Sequence, residues 1–146
     1  MAKQQEEQLK RQMQYQMDTV KIAEYLKSKK IKASRTPDGV YYTIRKKQSG
    51  MTLMPGDTAM TFYAGRLLDG TQFDANFDAA KNEYKEPFPV VVGMSQVIRG
   101  WHSALMAMKK GEKATVYIPS ALGYGDQGAG DRIPPNSILV FDIEVK

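Results

Sequence analysis

Few residues in this chain are equipped for covalent chemistry, and they are scattered. Asp74 and Asp78 lie four positions apart, a spacing that suits two cooperating carboxylates, but one such pair in a turn-rich stretch is weak grounds for acid–base catalysis. Ser103 and Ser120 offer hydroxyls with no partner base in sight, and the only histidine, His102, reads as a partly exposed helix residue beside Trp101. The chain has no cysteine, which removes thiol nucleophiles, disulfides and thiolate-bound zinc or iron–sulfur centres together. Gly123-Tyr124-Gly125-Asp126-Gln127-Gly128 spells G-x-G-x-x-G. It follows no strand of the required kind, and Ile133-Pro134-Pro135 blocks the helix that a nucleotide-binding turn must open. No metal and no cofactor is expected.

What remains is an excess of aromatic and branched apolar residues beside turns: Tyr63, Phe73, Phe88, Val97, Ile98, Trp101, Tyr124, Ile133 and Phe141. Plain core packing accounts for Val97 and Phe141 on pattern alone. Tyr63 and Tyr124 bring hydroxyls as well, and Tyr124 stands in a glycine-rich loop where a core residue is out of place. An apolar pocket with a few polar handles suits a small hydrophobic ligand or a single side chain.

The elements that must position these residues are mostly strands. Val40–Ile44 is β-branched and aromatic. Asp57–Leu68 is broken at Asp69-Gly70 and continues into Thr71–Phe73 as its hairpin partner. Phe88–Val92, flanked by Pro87 and carrying Pro89, reads as an edge strand. Lys113–Ile118 alternates, and Ile138–Val145 places Leu139, Phe141, Ile143 and Val145 on one face with Asp142 and Glu144 on the other. That pattern predicts a sheet buried on one side and largely wet on the other. Only one helix fits here: Val97, Trp101, Ala104, Leu105 and Met108 recur at helical spacing, Lys109 and Lys110 suit its negative end, and Gly111 is the expected C′ residue. The class is therefore α+β, with the helix covering the sheet's apolar face.

Ahead of this body, Lys3 to Lys30 contains no Gly or Pro and is rich in Gln, Glu, Lys, Met and Leu, which predicts one long helix. Leu9, Met13, Met17 and Val20 form a narrow apolar stripe that Ile22, Tyr25 and Leu26 widen. Such a stripe must pack on the body, on a second copy or on a client protein. Heptad spacing is poor, so no regular coiled coil is expected. Charge divides at the same place. The net +5 is made of +7 over residues 1–50 and −2 over residues 51–146, so the body has no basic footprint for nucleic acid. The turn Thr36-Pro37-Asp38-Gly39 marks the boundary, giving a helical extension at 1–35 and a folded domain at 36–146. The start lacks the apolar core of a signal peptide, which suits either a cytosolic protein or a processed form.

Gly56-Asp57, Tyr63-Ala64-Gly65, Leu68-Asp69-Gly70, Phe73-Asp74, Val97-Ile98-Arg99-Gly100-Trp101, Met108-Lys109-Lys110-Gly111-Glu112 and Ile118-Pro119 occur in this order. They are followed by Tyr124-Gly125, Ile133-Pro134-Pro135-Asn136 and Leu139-Val140-Phe141. Over about 51–146 the series resembles the FKBP-type peptidyl-prolyl cis-trans isomerases. The upstream helix leading into Gly39–Ile44 is similar to bacterial cell-envelope (Mip-like) members. The resemblance implies a bent antiparallel half-barrel wrapped around one short helix. It further implies a pocket with Trp101 as floor and Tyr63, Phe73, Phe88, Val97, Ile98, Ile133 and Phe141 as walls. Asp74 and the Tyr124 hydroxyl would be its polar handles, and the Ile98 N–H a donor to ligand. Expected partners are proline-containing unfolded or partly folded polypeptides and macrolide immunosuppressant-type ligands. The resemblance implies acceleration of rotation about X–Pro bonds, the alternative being a polypeptide-holding chaperone module in which isomerisation is incidental. A homodimer through the N-terminal helix and a cell-envelope location are also expected. The chain departs from compact family members in the longer Ala75–Glu86 segment, which is expected to rim or cover the pocket, and in Gln96, Val90 and Arg132.

Overall fold

The computed structural model describes residues 2–146. The opening helix α1 spans Lys3–Ser28. A short strand β1 (Ser34–Arg35) turns through Thr36–Gly39 into β2 (Tyr41–Lys46), so this turn closes a hairpin. Then come β3 (Thr58–Leu67), β4 (Gln72–Ala75), a small hairpin of β5 (Phe77–Asp78) and β6 (Glu83–Tyr84), and β7 (Phe88–Val91). Helix α2 covers Arg99–Leu105, β8 Lys113–Ile118 and β9 Leu139–Val145, with a 3-10 turn at Ser120–Leu122 between these strands. The main sheet has seven antiparallel strands in the order β1-β2-β8-β9-β3-β4, with β7 on the first half of β3. This is the expected α+β arrangement of one short helix against an antiparallel sheet that does not close.

Alternation along the strands decides what the concave face holds. Ala114, Val116 and Ile118 of β8 and Leu139, Phe141, Ile143 and Val145 of β9 join Trp101, Ala104, Leu105 and Met108 in one core. Gly100 allows the close approach of α2, since a Cβ there would lie 2.5 Å from an Ile118 methyl. Helix α2 is shorter than its apolar period predicts. It ends at Leu105 with Met106 at its C-cap, so Gly111 is not its C′ residue. Met108 and Lys109 are drawn instead into bonds with the segment before β3, where Leu53 N–H meets the Met108 carbonyl and Thr52 bridges to Lys109.

The convex face is not left wet. Ile22 and Leu26 of α1 pack with Tyr117, Ile138 and Val140, all buried, in a second apolar cluster behind the sheet. Of the expected stripe, Ile22, Leu26 and Tyr25 pack on the body and the N-terminal members do not. Leu9, Met13, Met17 and Val20, expected as the packing stripe, are 51–57% exposed, whereas Asp18, Ile22 and Leu26 face inward at four-residue spacing. No helix among the described residues is long and apolar enough to cross a membrane.

Candidate functional site

The concave face opens into an aromatic basin. Trp101, 4% exposed at the start of α2, lies edge-on to Tyr63 (ring centroids 5.2 Å apart, 78° between planes) and to Phe141 (5.4 Å, 86°). Phe88 from β7 approaches Trp101 at 6.1 Å, and Phe73 from β4 meets Phe141 at 5.6 Å and 86°. Edge-to-face contacts of this kind fix ring planes as well as filling volume. Gly65 on β3 makes room for them, because a Cβ there would sit 2.6 Å from Phe141 Cε1 and 2.7 Å from Phe73 Cζ. Ile133 is buried in the same cluster, and Val97 and Ile98 pack against it half-buried. Phe88, by contrast, is 40% exposed, which suits a rim more than a wall.

At the lip of the basin the Tyr63 hydroxyl donates to Asp74 Oδ2 at 2.8 Å, while Asp74 Oδ1 accepts the Ala75 N–H at 2.9 Å. Burial first, then the hydrogen bond and negative charge of Asp74, push the Tyr63 phenol up to about 12. Tyr63 therefore remains a donor, and the exposed Asp74 remains an acceptor facing solvent beside the apolar floor. Tyr124 is 40% exposed in its loop. Nine of the ten residues predicted for the site are thus brought together around Trp101, and the tenth, Tyr124, stands on the glycine-rich loop after Leu122.

The Asp74–Asp78 pairing does not form. Asp78 instead accepts the N–H groups of Ala80 and Lys81 in a local turn. The two serines are structural as well, Ser103 donating to Thr36 and Ser120 to Asp18. His102 is half-buried. Its Nδ1 accepts Gly93 N–H at 2.8 Å and its Nε2 lies 2.9 Å from the Ser95 carbonyl, so it braces the loop that leads into Val97 and Ile98.

The Ala75–Glu86 segment does not cover the basin. Tyr84 stacks on Phe77 at 5.3 Å, meets Phe62 edge-on at 4.8 Å and donates to Glu144, which places it on the convex side of the sheet edge. The hairpin instead borders the site: with Phe73, Asp74 and Arg132 it lines a cleft of about 440 Å3, and the Arg132 guanidinium donates to the Phe73 carbonyl at 3.0 Å.

Sequence reasoning missed Asn76. Its Oδ1 accepts the Tyr63 N–H at 2.6 Å and its Nδ2 donates to the carbonyls of Thr61 and Glu86, so one buried amide ties the hairpin to β3 at Tyr63. An isolated Asn in a polar segment carries no signal of that role.

Residues 50–146 match the family model described as FKBP-type peptidyl-prolyl cis-trans isomerase. The chain belongs to the FKBP family. It is 41% identical over 123 residues to a probable FKBP-type peptidyl-prolyl cis-trans isomerase of Haemophilus influenzae, covering 84% of this chain and 47% of that one. An FK506-binding protein of Neisseria meningitidis serogroup C is 38% identical over 96 residues, covering 66% of this chain and 84% of that one. The crystal structure of a peptidyl-prolyl cis-trans isomerase from Pseudomonas syringae pv. tomato superposes with a TM-score of 0.71 at 30% identity, covering 92% of each chain. Among the curated relatives, the chain spans less than two thirds of the length of the first ones it matches. In this FKBP chain the matched segment holds every residue of the basin and excludes α1.

Proposed function

We propose that this FKBP-family protein accelerates rotation about X–Pro bonds of polypeptides, with the aromatic basin as its prolyl site. The observation that carries the reading is the basin itself: an apolar floor of Trp101 and Phe141 bordered by the Tyr63–Asp74 pair. Rotation of an amide must surrender resonance against a barrier of about 18–20 kcal/mol, and no bond to the enzyme is needed. A prolyl ring seated among Phe73, Phe88, Val97, Trp101, Ile133 and Phe141 leaves its amide partly desolvated. Desolvation favours the twisted form, whose charge separation is smaller. Tyr124 donates to a substrate carbonyl, the Ile98 N–H to another, and Asp74 favours the polarisation that develops as the amide turns. Only contacts stronger in the twisted state than in the planar one raise the rate.

The catalytic group is thus Asp74, Tyr124, Tyr63 and Phe141. The isomerase unit is 36–146; of the extension at 1–35, helix α1 packs behind the sheet and β1 adds to its edge. The same basin takes macrolide immunosuppressant-type ligands, which compete with peptide. A coupled assay on X–Pro tetrapeptides tests the reading. Acceleration by the wild type and its loss in Asp74→Ala and Phe141→Ala are expected, and no acceleration by the pure protein refutes it.

A second reading, a holdase for partly folded chains, is favoured by the exposed Leu9, Met13, Met17 and Val20 on one side of α1. The same stripe suits a homodimer. Met13→Glu with Met17→Glu is expected to abolish aggregation suppression while tetrapeptide isomerisation stays intact. Sedimentation of the same variant separates the dimer from the client surface. The upstream helix and the lack of cysteine fit a protein of the bacterial cell envelope, where fractionation of the native host should find it.

A further inference from the structure

We propose that Asp18, on the N-terminal helix, is a positioning residue for the loop that carries Tyr124, and that α1 thereby sets the geometry of the isomerase site. The proposal rests on the isomerase reading above for its functional readout.

Asp18 is 1% exposed. Its Oδ2 accepts the Ser120 N–H at 2.9 Å and also the Ser120 hydroxyl, and its Oδ1 accepts Gln14 Nε2 at 2.9 Å. A carboxylate this deep is costly unless its acceptors are filled, so three donors around it mark a joint of narrow geometric tolerance. Docking alone does not call for it. Ile22 and Leu26 already bury α1 against Tyr117, Ile138 and Val140. What the carboxylate adds is direction: it fixes the helix to one backbone N–H.

That N–H belongs to the residue on which the loop is hung. The Ser120 carbonyl accepts the N–H of Gly123 at 3.0 Å and of Gly125 at 2.8 Å, and Tyr124 is the residue between them. The Gly125 carbonyl accepts Asn136 N–H at 2.8 Å, which ties the far side of the loop. A chain of hydrogen bonds therefore runs from α1 through Ser120 to both neighbours of Tyr124. Towards its N-terminus the helix parts from the loop, and Lys10, Met13 and Met17 face Tyr124 and Asn136 across a cleft of about 860 Å3. With the loop standing free on that side, the Asp18–Ser120 joint bears directly on where Tyr124 points.

The test uses the full chain. Asp18→Ala and Asp18→Asn are made in the wild-type and Tyr124→Phe backgrounds, and kcat and KM on an X–Pro tetrapeptide are measured where circular dichroism shows each variant folded. Asp18→Ala is expected to lower kcat about tenfold with KM changed less than about twofold, which is about 1.4 kcal/mol of transition-state stabilisation. Asp18→Asn, which still accepts from Ser120, restores most of it. In Tyr124→Phe the same Asp18→Ala change adds less than about twofold, because the joint then has no hydroxyl to aim. Amide exchange at Gly123 and Gly125 becomes at least about tenfold faster in Asp18→Ala. Unchanged kcat with unchanged exchange overturns the proposal, and so does a loss that adds fully in the Tyr124→Phe background, as general destabilisation would. If Asp18→Ala does not fold, Ser120→Ala, which removes one donor and keeps the backbone N–H, is read the same way with an effect of about threefold. A wild type inert on X–Pro peptides refutes the isomerase reading; the exchange comparison then decides the joint alone, faster Gly125 exchange supporting it and unchanged exchange overturning it.

Discussion

Two aspartates on opposite faces of one sheet have been given opposite tasks. Asp74, at the lip of the concave basin, bonds the Tyr63 hydroxyl and the Ala75 N–H and stays exposed. Asp18, behind the sheet, also bonds a hydroxyl and a backbone N–H, but it has a third donor and is 1% exposed, so solvent and substrate do not reach it. A carboxylate held by three donors in a buried joint keeps two elements in register. One with open lone pairs beside an apolar floor can respond to a substrate whose dipole changes. The difference lies in exposure and in how many donors each has already met.

Breaking the floor of the basin should give the largest effect. Phe141→Ala removes the ring that meets Trp101, Phe73 and Tyr63, at roughly 3–5 kcal/mol of stability. It should also lower kcat/KM about a hundredfold, or about 2.8 kcal/mol. Activity kept within about threefold would move the site away from the concave face. On the convex side, Ile22→Ala empties a fully buried position and should cost about 2–5 kcal/mol. That loss appears as a lower denaturant midpoint at unchanged m-value. Its kcat under native conditions should stay within about twofold, because Ile22 docks the helix without bonding the loop. An equal fall in kcat would show that packing, and not the Asp18 bond, sets Tyr124.

Most of the sheet was legible in the sequence, because alternation along Lys113–Ile118 and Leu139–Val145 assigns side chains to faces whatever the tertiary details. Of the basin only Phe141 follows from that alternation, the other residues from the family resemblance. The packing face of α1 was not legible. Hydrophobicity favours Leu9, Met13 and Met17, yet the buried line runs Asp18, Ile22, Leu26, and its polar member finds Ser120 102 residues away. The four-residue spacing of Ile22 and Leu26 carries back to Asp18, whose burial no hydrophobic pattern signals. The β5–β6 hairpin was hidden for another reason. Two strands of two residues each are too short to show a period, and their placement depends on the Phe77–Tyr84 stack and on Asn76. The early end of α2 depends on a ladder to Thr52 that helix signals such as Gly111 do not register.

Within the basin a finer contrast separates the two partners of the lip. Asp74→Asn keeps the size of the side chain and weakens its pull on the turning amide, so kcat/KM should fall about tenfold, or about 1.4 kcal/mol, with little change in stability. Tyr63→Phe should cost only about threefold, since Asp74 keeps its charge and loses one donor. Combined, the two changes should cost less than their product, as expected of residues sharing one hydrogen bond. Fully multiplicative losses would mean that Tyr63 acts on substrate independently of Asp74.

The same pair predicts an alkaline signature that no neutral-pH assay reveals. The Tyr63 phenol is raised in the folded protein from its ordinary value of 10.0 to about 12, chiefly by burial and then by Asp74. Between those values the unfolded chain has released this proton and the folded one has not, so stability falls as pH rises through that window. The contribution of the pair is complete below about pH 10 and is lost as pH climbs towards about 12. Tyr117 and Tyr84 are also raised, chiefly by burial, so the raw slope belongs to several groups. The difference in unfolding midpoint between wild type and Tyr63→Phe, followed from pH 9 to pH 11.5, isolates Tyr63. That difference should shrink steadily with pH. Parallel curves would mean that the hydroxyl is free in solution and that Asp74 stands at the lip without its donor.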